Sequence, residues 1–425
     1  MTLAGDRAGE LPLRGFRAMR SAVAKSSFEI LRVGGLRVAF ERSTGPLTGI
    51  ILGVRSGSRF DAGAPGIAHL AEHMLFQGTE ALDHAAINER AAELGGDHDA
   101  STSYEDLNVT FQVLNADVAA AIGLIAEQVL RSTVPADRLE NERQVVAQEI
   151  RGHREDAVSY LTDETWARFF AGGLRLSPSG TLASVRGISA GRLRRFLRHR
   201  FVAANMVLSI VGVLSADEVR AIVRREFRRL SAGVACSANG ARIVRSGEVR
   251  FRRAGLTQLY LTSLFAVPAA PRSLIALGLA LEILGTDPDG RLYHEVRERR
   301  GLSYDLWADL QSGAGWAAMV IGAVAERRAE ARLRRAIDEV LAKAAADGFT
   351  NEEIARARRK ARYRYARLSE AKLDRAASHA ASLLYGAPRL DDAEAIVRSL
   401  TRQEIEGAWR GALEGPRLTG ILIGE

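Results

Sequence analysis

Gly66–Gln77 reads GIAHLAEHMLFQ, an apolar helical stretch that carries His69, Glu72 and His73. Residues four apart on an α-helix lie one above the other, so both imidazoles can reach one ion. Glu72, three residues after His69 and next to His73, stands at the edge of the same face, within reach of a water on that ion. Two histidines, a third ligand from elsewhere and one open position make a catalytic rather than a structural zinc site. The order H-x-x-E-H is the inverse of the H-E-x-x-H zinc helix. The competing reading is a helix with two partly buried, hydrogen-bonded histidines.

A third ligand has to come from another element. Pro135 opens a long helix to about Glu155 within PADRLENERQVVAQEIRGHRED. Glu142 and Glu149 are two turns apart on one face of it, and His153 lies four residues further on. A solvated acidic face with i,i+4 partners would give the same pattern.

The remaining composition bounds the answer. A chain of 425 residues suits two or more domains. Hydrophobic residues at 47% and charged residues at 26% describe an ordinary globular protein. No apolar run is long enough for a membrane helix, and no membrane partner is expected. The first 27 residues, MTLAGDRAGELPLRGFRAMRSAVAKSS, lack the apolar core of a signal peptide. Their arginines suit a mitochondrial matrix transit peptide, but Asp6, Glu10 and Pro12 do not. The stretch reads as an arm on a cytoplasmic bacterial protein. The single cysteine, Cys236, excludes an internal disulfide and a cysteine zinc cluster. The net charge of +8 is almost wholly arginine, clustered on helices as at Arg220–Arg229 and Arg356–Arg367. With no accompanying binding motif, that charge reads as solvated helix faces, and no nucleic-acid partner is expected.

Along the chain, EILRV, Gly34-Gly35 and LRVAFERS form a hairpin, and Leu47–Val54 an apolar strand. Gly78 is placed to end the histidine helix as a left-handed cap. A helix over Asp83–Leu94 is closed by Gly95-Gly96. Strands follow at Asp97–Tyr104 and Leu107–Leu114, then helices at Asp117–Arg131, Pro135–Glu155 and Ala157–Phe170. A basic helix at Ser189–His199, a strand at Asn205–Val213 and a capping box at Ser215–Glu218 end the first half. Residues 231–247 form a small-residue linker. The second half, 248–425, again mixes strands with helices. Two strands lie within Val249–Val267, helices at Pro271–Leu284 and Gly290–Arg300, and strands at Ser303–Gln311 and Trp316–Val324. A capping box at Thr350–Glu353 opens one long helix towards Tyr385, and Leu418–Ile423 is a final strand. The order implies an arm over 1–27 and two homologous α+β domains at 28–230 and 248–425, each a mostly antiparallel sheet packed with helices.

The stretches AHLAEHMLFQGTE, GGDHDASTSYED, NERQVVAQEIRGHRED and RLYHEVRERRGLSYDL together resemble the insulinase/pitrilysin family of zinc metallopeptidases. The resemblance is to its half-length type, such as the β-subunit of mitochondrial processing peptidase and its bacterial relatives, and it runs from about Phe28 to Glu425. It implies that Glu149 is the third zinc ligand beside His69 and His73, and that Glu142 supports the ligands or their electrostatics. It makes Glu72 the base that takes a proton from water and returns it to the leaving amine. It matches Arg297 and Tyr304 to donors that act on the substrate carbonyl and backbone, against the plainer reading of a surface arginine and a strand residue. It makes Asp97–Tyr104 the edge strand on which an extended peptide is laid. Asp99 departs from the asparagine common there; a carboxylate accepts hydrogen bonds but does not donate them. His98 and His153 are either supporting groups of the site or hydrogen-bonded surface histidines. The implied activity is a zinc endopeptidase acting on short or unfolded peptides, or processing a precursor. It would work as a homodimer, or as a heterodimer with a homologous subunit. The rival readings are a hydrolase of small amides and a non-catalytic peptide-binding or assembly subunit.

Overall fold

The computed structural model describes residues 27–61, 63–237 and 241–425. The arm expected over residues 1–27 lies, apart from Ser27, outside the described residues. The first half begins with β1 (Ser27–Val33), β2 (Leu36–Arg42) and β3 (Leu47–Val54). Next come α1 (Ile67–Met74), α2 (His84–Glu93), β4 (Asp97–Thr102) and β5 (Leu107–Leu114). Helices α3 (Val118–Arg131), α4 (Ala136–Glu155) and α5 (Ala157–Phe169) follow, then the two-residue strand β6 (Phe170–Ala171). The half ends with α6 (Leu182–Gly187), α7 (Ala190–Arg200), β7 (Met206–Gly212) and α8 (Ala216–Glu226).

The second half starts with β8 (Arg242–Ile243), which pairs with β6, then β9 (Gly247–Arg252) and β10 (Gln258–Ala266). Helix α9 (Pro271–Leu284) and a π-helix (Tyr293–Arg299) lead into β11 (Ser303–Gly313) and β12 (Trp316–Glu326). Helices α10 (Glu330–Asp347), α11 (Asn351–Glu370), α12 (Lys372–Tyr385), α13 (Leu390–Ser399) and α14 (Arg402–Glu414) precede β13 (Arg417–Ile423).

The two sheets share one topology. The first has the order β1-β2-β7-β3-β5-β4 and the second β11-β12-β10-β13-β9. In each, one parallel pair, β2 with β7 or β9 with β13, sits in an otherwise antiparallel sheet. Strand β1 is an addition to the first sheet. The fold is α+β in two halves whose elements largely recur: α3–α7 before β7 correspond to α10–α14 before β13, while α8 after β7 has no counterpart among the described residues. The central strands β7 (MVLSIVG) and β12 are buried nearly throughout, as strands with neighbours on both edges should be. Strand β4 alternates exposed and half-buried residues because it is an edge.

The halves exchange helices. Helix α5 of the first half lies on β10 and β13, with Leu161 packed against Leu422. Its counterpart α12 lies on the first sheet, where Ala376, Ala380 and Leu384 pack on Ala39, Ile51, Val207 and Val211. Close approach depends on glycine: a Cβ on Gly49 would stand 2.6 Å from the Lys372 backbone.

Two expectations change. The helix expected to run from Thr350 towards Tyr385 is two, α11 and α12, broken at Ala371, whose ψ of 119° is extended. The break lets α12 turn onto the other half. Gly78 is no left-handed cap: α1 ends at Met74, and Gly78, with φ of +153°, forms a bridge to Asp83.

Candidate metal centre

Helix α1 buries Ile67, Ala68, Leu70, Ala71 and Met74 against the first core, which turns His69, Glu72 and His73 to the opposite side. Its start is fixed by Asp61, whose carboxylate accepts from Gly66 N–H at 2.6 Å and Ala68 N–H at 3.2 Å. Asp61 is itself buried, and that burial pushes its pKa up to about 7 against the opposing backbone bonds and Arg200. Helix α4 buries Leu139, Val146, Ala147 and Ile150, and the neighbouring stripe carries Glu142 and Glu149 towards α1.

The ligand atoms of His69, His73 and Glu149 all lie within 4.8 Å of one another. Glu149 Oε2 is 3.7 Å from His69 Nε2 and 3.6 Å from His73 Nε2. Donors about 2.0–2.2 Å from a tetrahedral zinc ion stand roughly 3.3–3.6 Å apart, so the two carboxylate–imidazole sides of this triangle fit the metal nearly as they stand. Glu142 Oε2 lies 2.8 Å from His73 Nδ1. An ionised carboxylate only accepts, so Nδ1 carries the hydrogen and Nε2 keeps its lone pair for an ion. Burial, reinforced by the neighbouring His73, lowers the pKa of His69 to about 4 and keeps it neutral. Burial also works against charge on His73, but the bond to Glu142 and the Glu149 and Glu72 carboxylates outweigh it and hold its pKa above 6.5.

Glu72 is mostly buried, which raises its pKa; a bond donated by Thr102 Oγ1 and the nearby His73 oppose that rise, and Asp99 and Glu149 add to it. Sequence reasoning misses Thr102. Its signal is the two-residue period of β4, which puts His98, Ala100 and Thr102 on the side facing α1. Asp61 leaves only a weak signal, an acid shortly before the helix.

The other expected residues fall elsewhere. His98 stacks on Phe111 with ring centroids 4.1 Å apart and pairs with Gln128. His153 bonds to Asp163 of α5 at 3.0 Å. Neither histidine joins the cluster. Asp99 is exposed and accepts from the Ala100 N–H. Arg297, on the π-helix, donates to the Tyr304 carbonyl at 2.9 Å and lies over the Tyr293 ring. Tyr304 is exposed, and its hydroxyl meets Gln258. The partners of both residues lie in the second half, apart from the α1–α4 cluster. The counterpart of α1, helix α9, has no histidine at all.

Comparison with known proteins agrees with this division. Residues 37–175 match the family described as Insulinase (Peptidase family M16), and residues 187–361 match the Peptidase M16 inactive domain. All three clustered ligand residues lie in the first match. An uncharacterized zinc protease of Mycobacterium leprae is 32% identical over 333 residues, which is 75% of this chain and 74% of the relative. A probable β-subunit of mitochondrial-processing peptidase from Arabidopsis thaliana is 29% identical over 202 residues, 46% of this chain and 38% of its own. Among solved structures, a protease from Helicobacter pylori superposes with a TM-score of 0.86 at 18% identity, covering 94% of this chain and 100% of that one. A peptidase M16 inactive domain from Pseudomonas fluorescens gives 0.85 at 23% identity, over 93% and 98%. No helix among the described residues is long and apolar enough to cross a membrane. The chain belongs to the insulinase family of peptidases, M16.

Proposed function

We propose that the protein is a zinc endopeptidase that cleaves short or unfolded peptides. The observation that carries this reading is the convergence of His69, His73 and Glu149, with Glu72 on the same helix face and Glu142 behind His73. The relatives named zinc proteases support the choice of metal. Zinc bound there supplies Lewis acidity towards a carbonyl and its water. Glu72, steadied by Thr102, is placed to take the water's proton and deliver it to the leaving amine. Strand β4 is the free edge of its sheet, so an extended peptide can add to it through main-chain bonds. Thr102 and Glu72 then lie beside that peptide.

Two copies of the chain complete the site. The second half of one copy faces α1 of the other and brings Arg297 and Tyr304 to the substrate backbone. Precursor processing and general peptide degradation both fit this enclosure.

A non-catalytic subunit is the second reading, suggested by the inactive-domain match over residues 187–361. The retained cluster in the first half speaks against it. The test is to incubate the pure protein with a peptide library, with zinc and with chelator, and read the cut sites by mass spectrometry. Zinc-dependent internal cuts that vanish in Glu72→Gln are expected. Zinc-loaded protein that cuts nothing would make it the non-catalytic subunit.

A further inference from the structure

Helices α9 and α11 stand in the second half where α1 and α4 stand in the first, and burial sets the register between them. Ala276, Leu277, Leu279, Ala280 and Ile283 are buried at the spacing of Ile67, Ala68, Leu70, Ala71 and Met74. Gly278 thus takes the position of His69, and Glu282 that of His73. Helices α4 and α11 are each 20 residues long, and buried Ile354 and Ala361 match buried Leu139 and Val146. Arg364 thus takes the position of Glu149. The second half puts a glycine and a guanidinium where the first has an imidazole and a carboxylate.

The exchange opens a cavity and reverses its charge. A space of about 270 Å³ lies between α9, α11, β11 and the segment after α12, with Ile275, Gly278, Leu310, Ala361 and Tyr365 in its wall. A Cβ on Gly278 would meet no atom within 4 Å, so this residue looks into open space. No packing contact there requires glycine, which weakens a helix interior. Arg364 is the one charged residue lining the cavity among the described residues. It is half-exposed and reaches Glu282 through a single contact of 3.3 Å, while Lys360 lies 3.3 Å from the same carboxylate. The guanidinium therefore keeps donors to spare, and Glu282 keeps a partner if Arg364 turns. The Tyr365 hydroxyl makes no hydrogen bond among the described residues. Burial raises its pKa against the opposing Arg364, so it remains a donor at neutral pH. Apolar walls, a lone cation at the rim and an idle phenol suit an amphipathic anion.

We propose that this cavity binds a small apolar carboxylate, of up to about ten non-hydrogen atoms at ~30 Å³ each, with its body against α9 and α11 and its head on Arg364. The ligand is a free medium-chain acid or the last residue of a short peptide, which present the same chemistry. Binding here is independent of the peptidase reading, because neither zinc nor cleavage takes part.

The test is calorimetric titration of the full-length protein with octanoate and with octanamide, which has the same chain and no charge. One octanoate per chain is expected, held about tenfold more tightly than the amide or better. Arg364→Gln should abolish that preference. Gly278→Leu should fill the cavity and abolish binding of both. Neither change removes a buried contact, and leucine favours a helix over glycine, so both variants should fold. A blocked dipeptide ending in phenylalanine, as acid and as amide, distinguishes the sources: the acid that binds more tightly names the ligand. Octanamide bound as well as octanoate, no saturable binding of either acid, or binding unchanged in Gly278→Leu would overturn the proposal.

Discussion

His73 meets a different carboxylate of α4 on each ring nitrogen, Glu142 at Nδ1 and Glu149 near Nε2. The two acids therefore have separable effects. Replacing a partner that orients a ligand typically costs 10–100-fold in metal affinity, so Glu142→Gln should weaken zinc by about that factor, and Glu149→Gln by more. Competition with a chromophoric chelator measures both, and the reverse order would make Glu142 the ligand. The Glu142 bond and the neighbouring carboxylates also make His73 hold a proton more tightly than a free imidazole does, a proton that zinc must displace. Zinc binding should then release protons, and affinity should fall as pH drops. Calorimetry in buffers of different ionisation enthalpy reads that release. Thr102 favours the ionised form of Glu72, so Thr102→Val should raise the Glu72 pKa and move the acid limb of the kcat/KM profile to higher pH. An unmoved limb would show that Thr102 does not act on the base.

Elements were legible where they carried local chemistry. Asp156 breaks α4 from α5, and its side chain caps the new helix by accepting from the Ser159 N–H, so both helices could be read. Ala371 breaks α11 from α12 with no capping bond, and the run of helix formers read as one helix. The pairing of His69 with His73, and of Glu142 with Glu149, was legible because helical period fixes which face a residue takes; the choice of Glu149 as the ligand came from the family resemblance alone. Thr102 was not legible, because its contact with Glu72 crosses from a strand to a helix. The exchange of α5 and α12 was hidden for a related reason: an apolar stripe shows that a helix is buried, not which sheet covers it. Gly49 gives this packing a direct test. A methyl there would press on the Lys372 backbone, and such overpacking typically costs about 1–3 kcal/mol. Gly49→Ala should lower the melting temperature accordingly, and an unchanged melt would mean that α12 does not lie against β3.

At the scale of the whole molecule, one ion cluster ties the halves together. Glu41 of β2, 2% exposed, accepts from Arg375 and His379 of α12, and Arg375 also holds Asp391. Burial raises the pKa of Glu41, but the bonds from His379 and Arg375 outweigh it and hold the carboxyl below 4.5. A depressed folded-state pKa gives stability that is present above about 4.5 and lost as pH falls through the folded value. Glu41→Gln leaves Arg375 with only the more exposed Asp391 as counter-charge, and should cost about 3 kcal/mol near neutral pH. The gap from the unaltered protein should close on acidification, as denaturant melts at several pH values would show. A gap that widens in acid would contradict the assignment. The proposed dimer belongs to the same scale: light scattering should give two chains per particle, and mixing Glu72→Gln with Arg297→Ala copies should restore part of the activity that each alone lacks. Failure of that mixing would mean that each site uses only its own chain.

The proposed chemistry depends on a single ion held between α1 and α4. Anomalous diffraction at the zinc absorption edge, from crystals grown with the metal, tests this most directly. The expected result is one strong peak per chain, about 2.0–2.2 Å from a nitrogen each of His69 and His73 and an oxygen of Glu149. A zinc-loaded crystal with no peak there, or with its peak on other residues, would contradict it.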